Sequence, residues 1–220
     1  MPPRPRRSVL SRCIEQASLR AWPALEEERL EGWTLRFSRG YTRRANSVIP
    51  AGPLPANPEV RVAACEARYA ARGLPAVFRL TSLGADPELD RVLEGRGYRE
   101  IDPTGVLHRP LDDSASEASA SLTELDADAW LARFACFHAT PPERHATHAE
   151  IVRSIRFPCL FASVAVDGEP AACGLGVLDG ECFGLFDLVT APERRGRGLG
   201  TALVVGMLAR ARERGASTRG

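Results

Sequence analysis

The residues whose types and spacing invite a chemical reading run from Arg194 to Thr201, in the order Arg-Arg-Gly-Arg-Gly-Leu-Gly-Thr. They lie between an apolar run ending in Leu188-Val189-Thr190 and a helix-forming run, TALVVGMLARARER. A strand, a Gly/Arg turn and an apolar helix together make an anion site. The first turn of a helix offers unpaired N–H groups at the positive end of its dipole. Gly196, Gly198 and Gly200 remove side chains and permit positive φ, and Arg195 and Arg197 add charge. Phosphate is the anion that suits such a turn, yet two well-known phosphate loops do not fit. The loop G-x-x-x-x-G-K-S/T needs a lysine, and all 29 cationic residues of this sequence are arginine. The dinucleotide fingerprint needs G-x-G-x-x-G within a parallel β-α-β unit. Here the spacing is G-x-G-x-G, and the preceding runs read as antiparallel.

The pattern that remains is Q/R-x-x-G-x-G/A, met by Arg195, Gly198 and Gly200 after a strand and at the opening of a helix. It resembles the acetyl-coenzyme A pyrophosphate loop of the GNAT superfamily of N-acetyltransferases. The resemblance covers the second half of the chain: strand, two helices, three-strand meander, loop and helix, in that family's order. It implies that Arg195, Gly196, Arg197, Gly198, Leu199, Gly200 and Thr201 hold the pyrophosphate through main-chain amides. It also implies that Leu188, Val189 and Thr190 offer backbone groups to the pantetheine arm, as an added strand would. The plain alternative for those three, buried strand, is compatible with that role. The family continues past this helix with a strand, a helix and a hairpin, so the sequence reads as truncated. The tyrosine that often serves as general acid would then lie beyond residue 220.

Acetyl transfer to an amine also needs a group that takes a proton from the acceptor ammonium. Asp187 is the one acid in the core of the strand before the loop. The family sometimes uses a strand-borne glutamate, and no glutamate here matches its offset from the loop. Asp187 is therefore the candidate catalytic base, with a structural hydrogen-bonding role as the alternative. His145 and His148 stand i, i+3 apart on one helix face, the spacing of a metal pair. No third ligand accompanies them, so together with His138 they read as ordinary surface histidines, and no metal is expected.

These residues need elements to position them. Asp126–His138 reads as a helix, and Thr140-Pro141-Pro142-Glu143 as a capping box opening the next one. Asp167-Gly168 and Asp179-Gly180 separate three alternating apolar runs, which predicts a three-strand antiparallel meander. In the first half, Ile14–Leu30 reads as a helix and 32–48 as a hairpin turning at Ser38-Arg39-Gly40. A helix from Pro58 to Gly73 follows, then a strand at 76–81, a helix capped by Asp86, and strand material over 98–111. That order resembles the same family more faintly, with no pyrophosphate pattern before its helix. An unrelated α+β cap is the alternative.

Composition limits the rest. The apolar fraction is 44% and the charged fraction 26%, ordinary for a folded domain and wrong for a disordered or fibrous chain. Net charge is +1, so no global field drives the chain onto nucleic acid or an anionic membrane, despite Arg4-Arg6-Arg7 and Arg43-Arg44. The six cysteines form no C-x-x-C pair and read as free thiols in a reducing compartment. The N-terminus lacks the apolar core of a signal peptide, and no run is long enough to span a membrane. A cytoplasmic protein is expected.

The fold class expected is α/β (α+β): two GNAT-like domains, each a mixed, mainly antiparallel sheet flanked by helices, the second incomplete. Residues 1–110 would form a degenerate copy, 111–121 a linker and 122–220 the N-acetyltransferase domain. The function expected is acetyl-coenzyme A-dependent transfer of acetyl to a primary amine of a small molecule or peptide by direct attack. The alternative is a catalytically inactive scaffold that serves only as a binding or interaction module.

Overall fold

The structure is a computed structural model of the 220-residue chain, and it describes residues 5–83, 86–111, 122–139 and 141–215. The chain divides into two compact units, one of Met1–Cys13 with Trp22–Leu107 and the other of Ile14–Ala21 with His108–Gly220. The expected linker falls almost wholly outside the described residues, as do Arg4 and Thr140 of the expected capping box.

The first helix, α1 (Pro5–Ala21), starts earlier and stops sooner than its sequence suggests. Trp22-Pro23 ends it, since the residue before a proline is pushed out of helical geometry. Glu26–Leu30, expected as the end of that helix, is instead strand β1, paired antiparallel with β2 (Trp33–Phe37). Leu30 faces Trp33 across a two-residue turn in which Glu31 and Gly32 both have positive φ, 45° and 92°. That is the tight hairpin of this unit. The turn at Arg39-Gly40 instead leads through a 3-10 turn to β3 (Val48–Ile49) on the other side of β2. All five residues of β2 are buried, the polar Thr34 and Arg36 included. Buried Arg36 is satisfied there by Glu27 and by the carbonyls of Trp22 and Arg44.

Helix α2 (Pro58–Ala70) turns Val62, Cys65 and Tyr69 onto this core, at the i, i+3, i+7 spacing of one face. Helix α3 (Pro87–Gly95) adds Leu89 and Leu93, and its first turn is capped by Asp86, which accepts from the amide of Glu88 at 2.9 Å. The expected strand at 76–81 reduces to one parallel bridge between Val48 and Phe78. The segment 98–111 forms no regular element.

In the second half the strands and helices come in the expected order. Its sheet has the order β4 (Leu122–Glu124), β5 (Cys159–Val166), β6 (Glu169–Asp179), β7 (Cys182–Thr190), antiparallel throughout. Helix α4 (Ala127–His138) is capped by Asp126, which accepts from the amide of Ala129 at 2.8 Å. Helix α5 (Pro142–Arg153) follows, but it has Pro141 as its N-cap and no side-chain cap bond, so it does not start from the expected capping box. Helix α6 (Leu199–Glu213) lays Leu203 and Met207 against Leu160, Ala162, Val164 and Ala172 of the sheet. Gly206 brings its backbone against Leu122, where a Cβ would stand 3.0 Å from Cδ1. Among the described residues, no helix is long and apolar enough to cross a membrane.

Candidate functional site

Strand β7 is the edge of its sheet and pairs with β6 alone among the described residues. The pairing breaks once. Cys173 faces Val189 and Leu175 faces Phe186, so the single residue Gly174 stands opposite two, Asp187 and Leu188. An extra residue of this kind is a β-bulge, which bends the strand and redirects its side chains. Asp187 takes φ 48°, a left-handed conformation more often left to glycine. A Cβ at Gly174 would come within 2.5 Å of Leu188 Cδ2 and 3.1 Å of Met207 Sδ, so the glycine leaves room for these side chains over the bulge.

The bulge presents Asp187 to helix α5. His148 Nε2 stands 2.7 Å from Asp187 Oδ2. An ionised carboxylate only accepts, so the imidazole donates from Nε2. His148 is wholly buried, whereas about a fifth of the Asp187 side chain (21%) remains exposed. The expectation that His148 is an ordinary surface histidine is therefore corrected. It lies on the inward face of α5 with Ile151 and Val152, at the i, i+3, i+4 spacing, and that period was the signal available in the sequence. Phe134 and Trp130 of α4 pack against its ring, with centroids 4.7 Å and 5.9 Å away. His138, one turn beyond Phe134, stacks on that ring at 5.2 Å and stays exposed. Among the described residues no three His, Cys, Asp or Glu side chains gather as a metal site.

The loop after β7 begins at Thr190, whose carbonyl accepts from Arg195 Nε at 3.3 Å. A 3-10 turn at Pro192–Arg194 follows. Gly196 and Gly198 then both take φ 76°, and Gly198 is the N-cap of α6 with no side chain to cover the helix end. A Cβ on either glycine would meet nothing within 4 Å, so these positions need glycine for their backbone conformation and not for close packing. Gly200 differs: it lies within the helix, and its Cβ would touch Thr190 Oγ1 at an ordinary 3.7 Å. Arg195, Arg197 and Thr201 are exposed, and Leu199 is half-buried. Leu188 is 45% exposed on the open edge, while Val189 and Thr190 are half-buried.

Cys173 lies close enough to this site to feel it electrostatically. Burial pushes its thiol up to about 12; the Arg133 guanidinium pulls it down and the Asp187 carboxylate raises it further. That thiol is protonated at neutral pH and a poor nucleophile.

Comparison with known proteins was made for the chain as a whole. Residues 10–219 match the family described as "Probable histone acetyltransferase Rv0428c C-terminal". The uncharacterized N-acetyltransferase YobR of Bacillus subtilis is 28% identical over 204 residues, 88% of this chain and 79% of that protein. The probable histone acetyltransferase Rv0428c of Mycobacterium tuberculosis is 41% identical over a short stretch of 46 residues, 15% of its length. Among solved structures, a GCN5-related N-acetyltransferase from Kribbella flavida superposes over 96% of this chain and 82% of its own. Its TM-score is 0.61 at 16% identity. A functionally unknown conserved protein from Staphylococcus epidermidis superposes over 89% of this chain and 82% of its own, with TM-score 0.59 at 9% identity.

Proposed function

Because the chain belongs to the GNAT N-acetyltransferases, in the family described as the Rv0428c C-terminal region, we propose that it moves acetyl from acetyl-coenzyme A to a primary amine by direct attack. The observation that carries this reading is the turn in which Gly196 and Gly198, both left-handed and open to solvent, deliver the chain into the uncapped first turn of α6. Amides at such a helix start favour an anion, and open space beside two glycines admits one as bulky as a pyrophosphate. The residues present therefore fit the donor. Gly196 to Thr201 would hold the pyrophosphate through main-chain amides, and Arg195 and Arg197 would add charge. Leu188, Val189 and Thr190, on an edge with no strand beside it among the described residues, would pair with the pantetheine amides.

Acetyl-coenzyme A supplies an activated thioester; the chain's own groups handle the acceptor. Asp187 would accept the proton of the acceptor ammonium. The freed amine then attacks the carbonyl, the C–S bond breaks, and the departing thiolate leaves as thiol with the second amine proton. Oδ2 of Asp187 is engaged by His148, which leaves Oδ1 for the ammonium. The protonated, buried Cys173 supports attack by the amine itself and not through an acetylated thiol at that position. The acceptor is a small-molecule or peptide amine, and the histone in the family's description favours a protein side chain. We also read the first unit as a degenerate copy of the same domain, on the strength of its antiparallel sheet packed under α2.

Calorimetric titration of the purified chain with acetyl-coenzyme A, followed by thiol release with a lysine-bearing peptide, tests the reading. Saturable binding and peptide acetylation are expected. No binding, with the fold intact by circular dichroism, sinks it.

A further inference from the structure

We infer that His148 is a positioning residue: its buried imidazole fixes Asp187 in the left-handed bulge so that one carboxylate oxygen faces the acceptor. The inference rests on the reading of Asp187 as the base, and it names the group that makes that base competent.

Three independent observations meet here. The first is backbone geometry: Asp187 occupies φ 48° opposite Gly174, a left-handed conformation that residues other than glycine adopt seldom. Such a conformation persists where surrounding structure over-determines it, and it clusters at working sites. The second is the 2.7 Å bond from His148 Nε2, short enough for a charge-assisted pair. The third is the asymmetry of burial. His148 is wholly buried against Phe134 and Trp130, while Asp187 keeps a fifth of its side chain exposed. Here the imidazole is anchored by rings on a neighbouring helix, and the carboxylate it holds reaches outward.

A donor at the Nε2 position is thus the essential feature, which separates positioning from packing. Glutamine places its amide nitrogen near where Nε2 stands, whereas leucine fills the space without a donor. Four variants test this in the full chain: His148→Gln, His148→Leu, Asp187→Asn and the double His148→Leu/Asp187→Asn. Thiol release from acetyl-coenzyme A is followed with a lysine-bearing peptide and with water alone, and coenzyme A affinity is measured by calorimetry. His148→Leu should lower kcat by about tenfold or more, up to the roughly 10²–10⁴-fold of losing a general base outright, with coenzyme A affinity unchanged. His148→Gln should recover most of that loss. The double variant should be no slower than Asp187→Asn alone, because both changes disable one device.

A readout free of turnover guards against a variant that folds poorly. Long-range nitrogen–proton spectra of the wild-type imidazole should show the proton on Nε2, and Asp187→Asn should disturb that tautomer. Nε2 found bare in the wild type overturns the inference. So does His148→Leu turning over as fast as His148→Gln in a protein that binds acetyl-coenzyme A. A wild-type chain that fails to bind acetyl-coenzyme A at all instead overturns the proposed function, and the imidazole spectrum still judges the pair.

Discussion

The carbonyl of Gly198 accepts the first hydrogen bond of α6, from the amide of Ala202 at 3.0 Å, while Gly198 itself sits at φ 76° and ψ 2°. One residue thus starts the helix and turns the chain into it. The amides of Leu199, Gly200 and Thr201 fall ahead of that first bond, where the i→i−4 pattern gives them no intrahelical partner, and no side chain caps them.

Substitutions in this turn separate backbone from charge. Gly198→Asp places a carboxylate where a pyrophosphate would sit and strains a left-handed position; it should abolish coenzyme A binding. Gly198→Ala adds only the strain. Arg195→Ala leaves every amide in place and should weaken binding by about 1.5–3 kcal/mol, the range for charged hydrogen bonds. Calorimetry with acetyl-coenzyme A and its dephospho analogue measures each. Unchanged affinity in the Gly198→Asp variant, with circular dichroism intact, removes this turn from the binding site.

The open edge of β7 has its own consequence. Leu188 is 45% exposed on an edge that no strand pairs among the described residues, and such an edge recruits other strands. The purified chain should self-associate with rising concentration, and acetyl-coenzyme A should compete with that association. Leu188→Lys, which keeps the backbone amides and places a charge on the edge, should reduce it. Sedimentation velocity across a concentration series reads the outcome. A chain monomeric at every concentration, with or without ligand, refutes the prediction.

What was legible in the sequence was local. Asp86 and Asp126 announce helix starts, Pro58 sits at the first position of α2, and Asp167-Gly168 makes the turn between β5 and β6, because each acts through neighbours a few residues away. Glu26–Leu30 misled for a related reason. Three glutamates before an arginine carry a helical charge pattern, and only pairing with β2 makes them a strand. The Gly/Arg turn was also readable, since its glycines act on their own backbone. The site behind it was not. The bulge at Asp187 depends on the register against Gly174, set by β6, and the bond to His148 joins residues 39 apart in the chain. Only the helical period through His148, Ile151 and Val152 pointed inward.

The two helix starts give a stability comparison. The Asp126 side chain accepts from the Ala129 amide, whereas Asn57, in the same position before α2, makes no side-chain cap bond. Asp126→Ala should cost about 1 kcal/mol, and Asn57→Ala close to none. For a chain of this size that difference lowers Tm by about 2–4 °C in the first variant only. Thermal melts of both proteins check it, and equal shifts would contradict the geometry at α2.

The buried thiols make alkaline stability predictable in sign. Burial pushes Cys65 up to about 11 and Cys173 up to about 12, while an unfolded thiol titrates near ~8.5. The folded state therefore holds these protons more tightly than the unfolded state does. Their contribution is complete below the unfolded value and falls as pH rises through the folded ones. Tyr69, raised by the same burial, acts in the same direction. Denaturant midpoints should decline steadily above about pH 9, and Cys173→Ala should flatten that decline. Chemical labelling gives the complementary reading. Cys13 and Cys136 are exposed and should alkylate readily near neutral pH, whereas Cys65 and Cys173 should alkylate only after unfolding. Alkylation of Cys173 at the rate of Cys136 in the native protein would place that thiol outside the core beside Asp187.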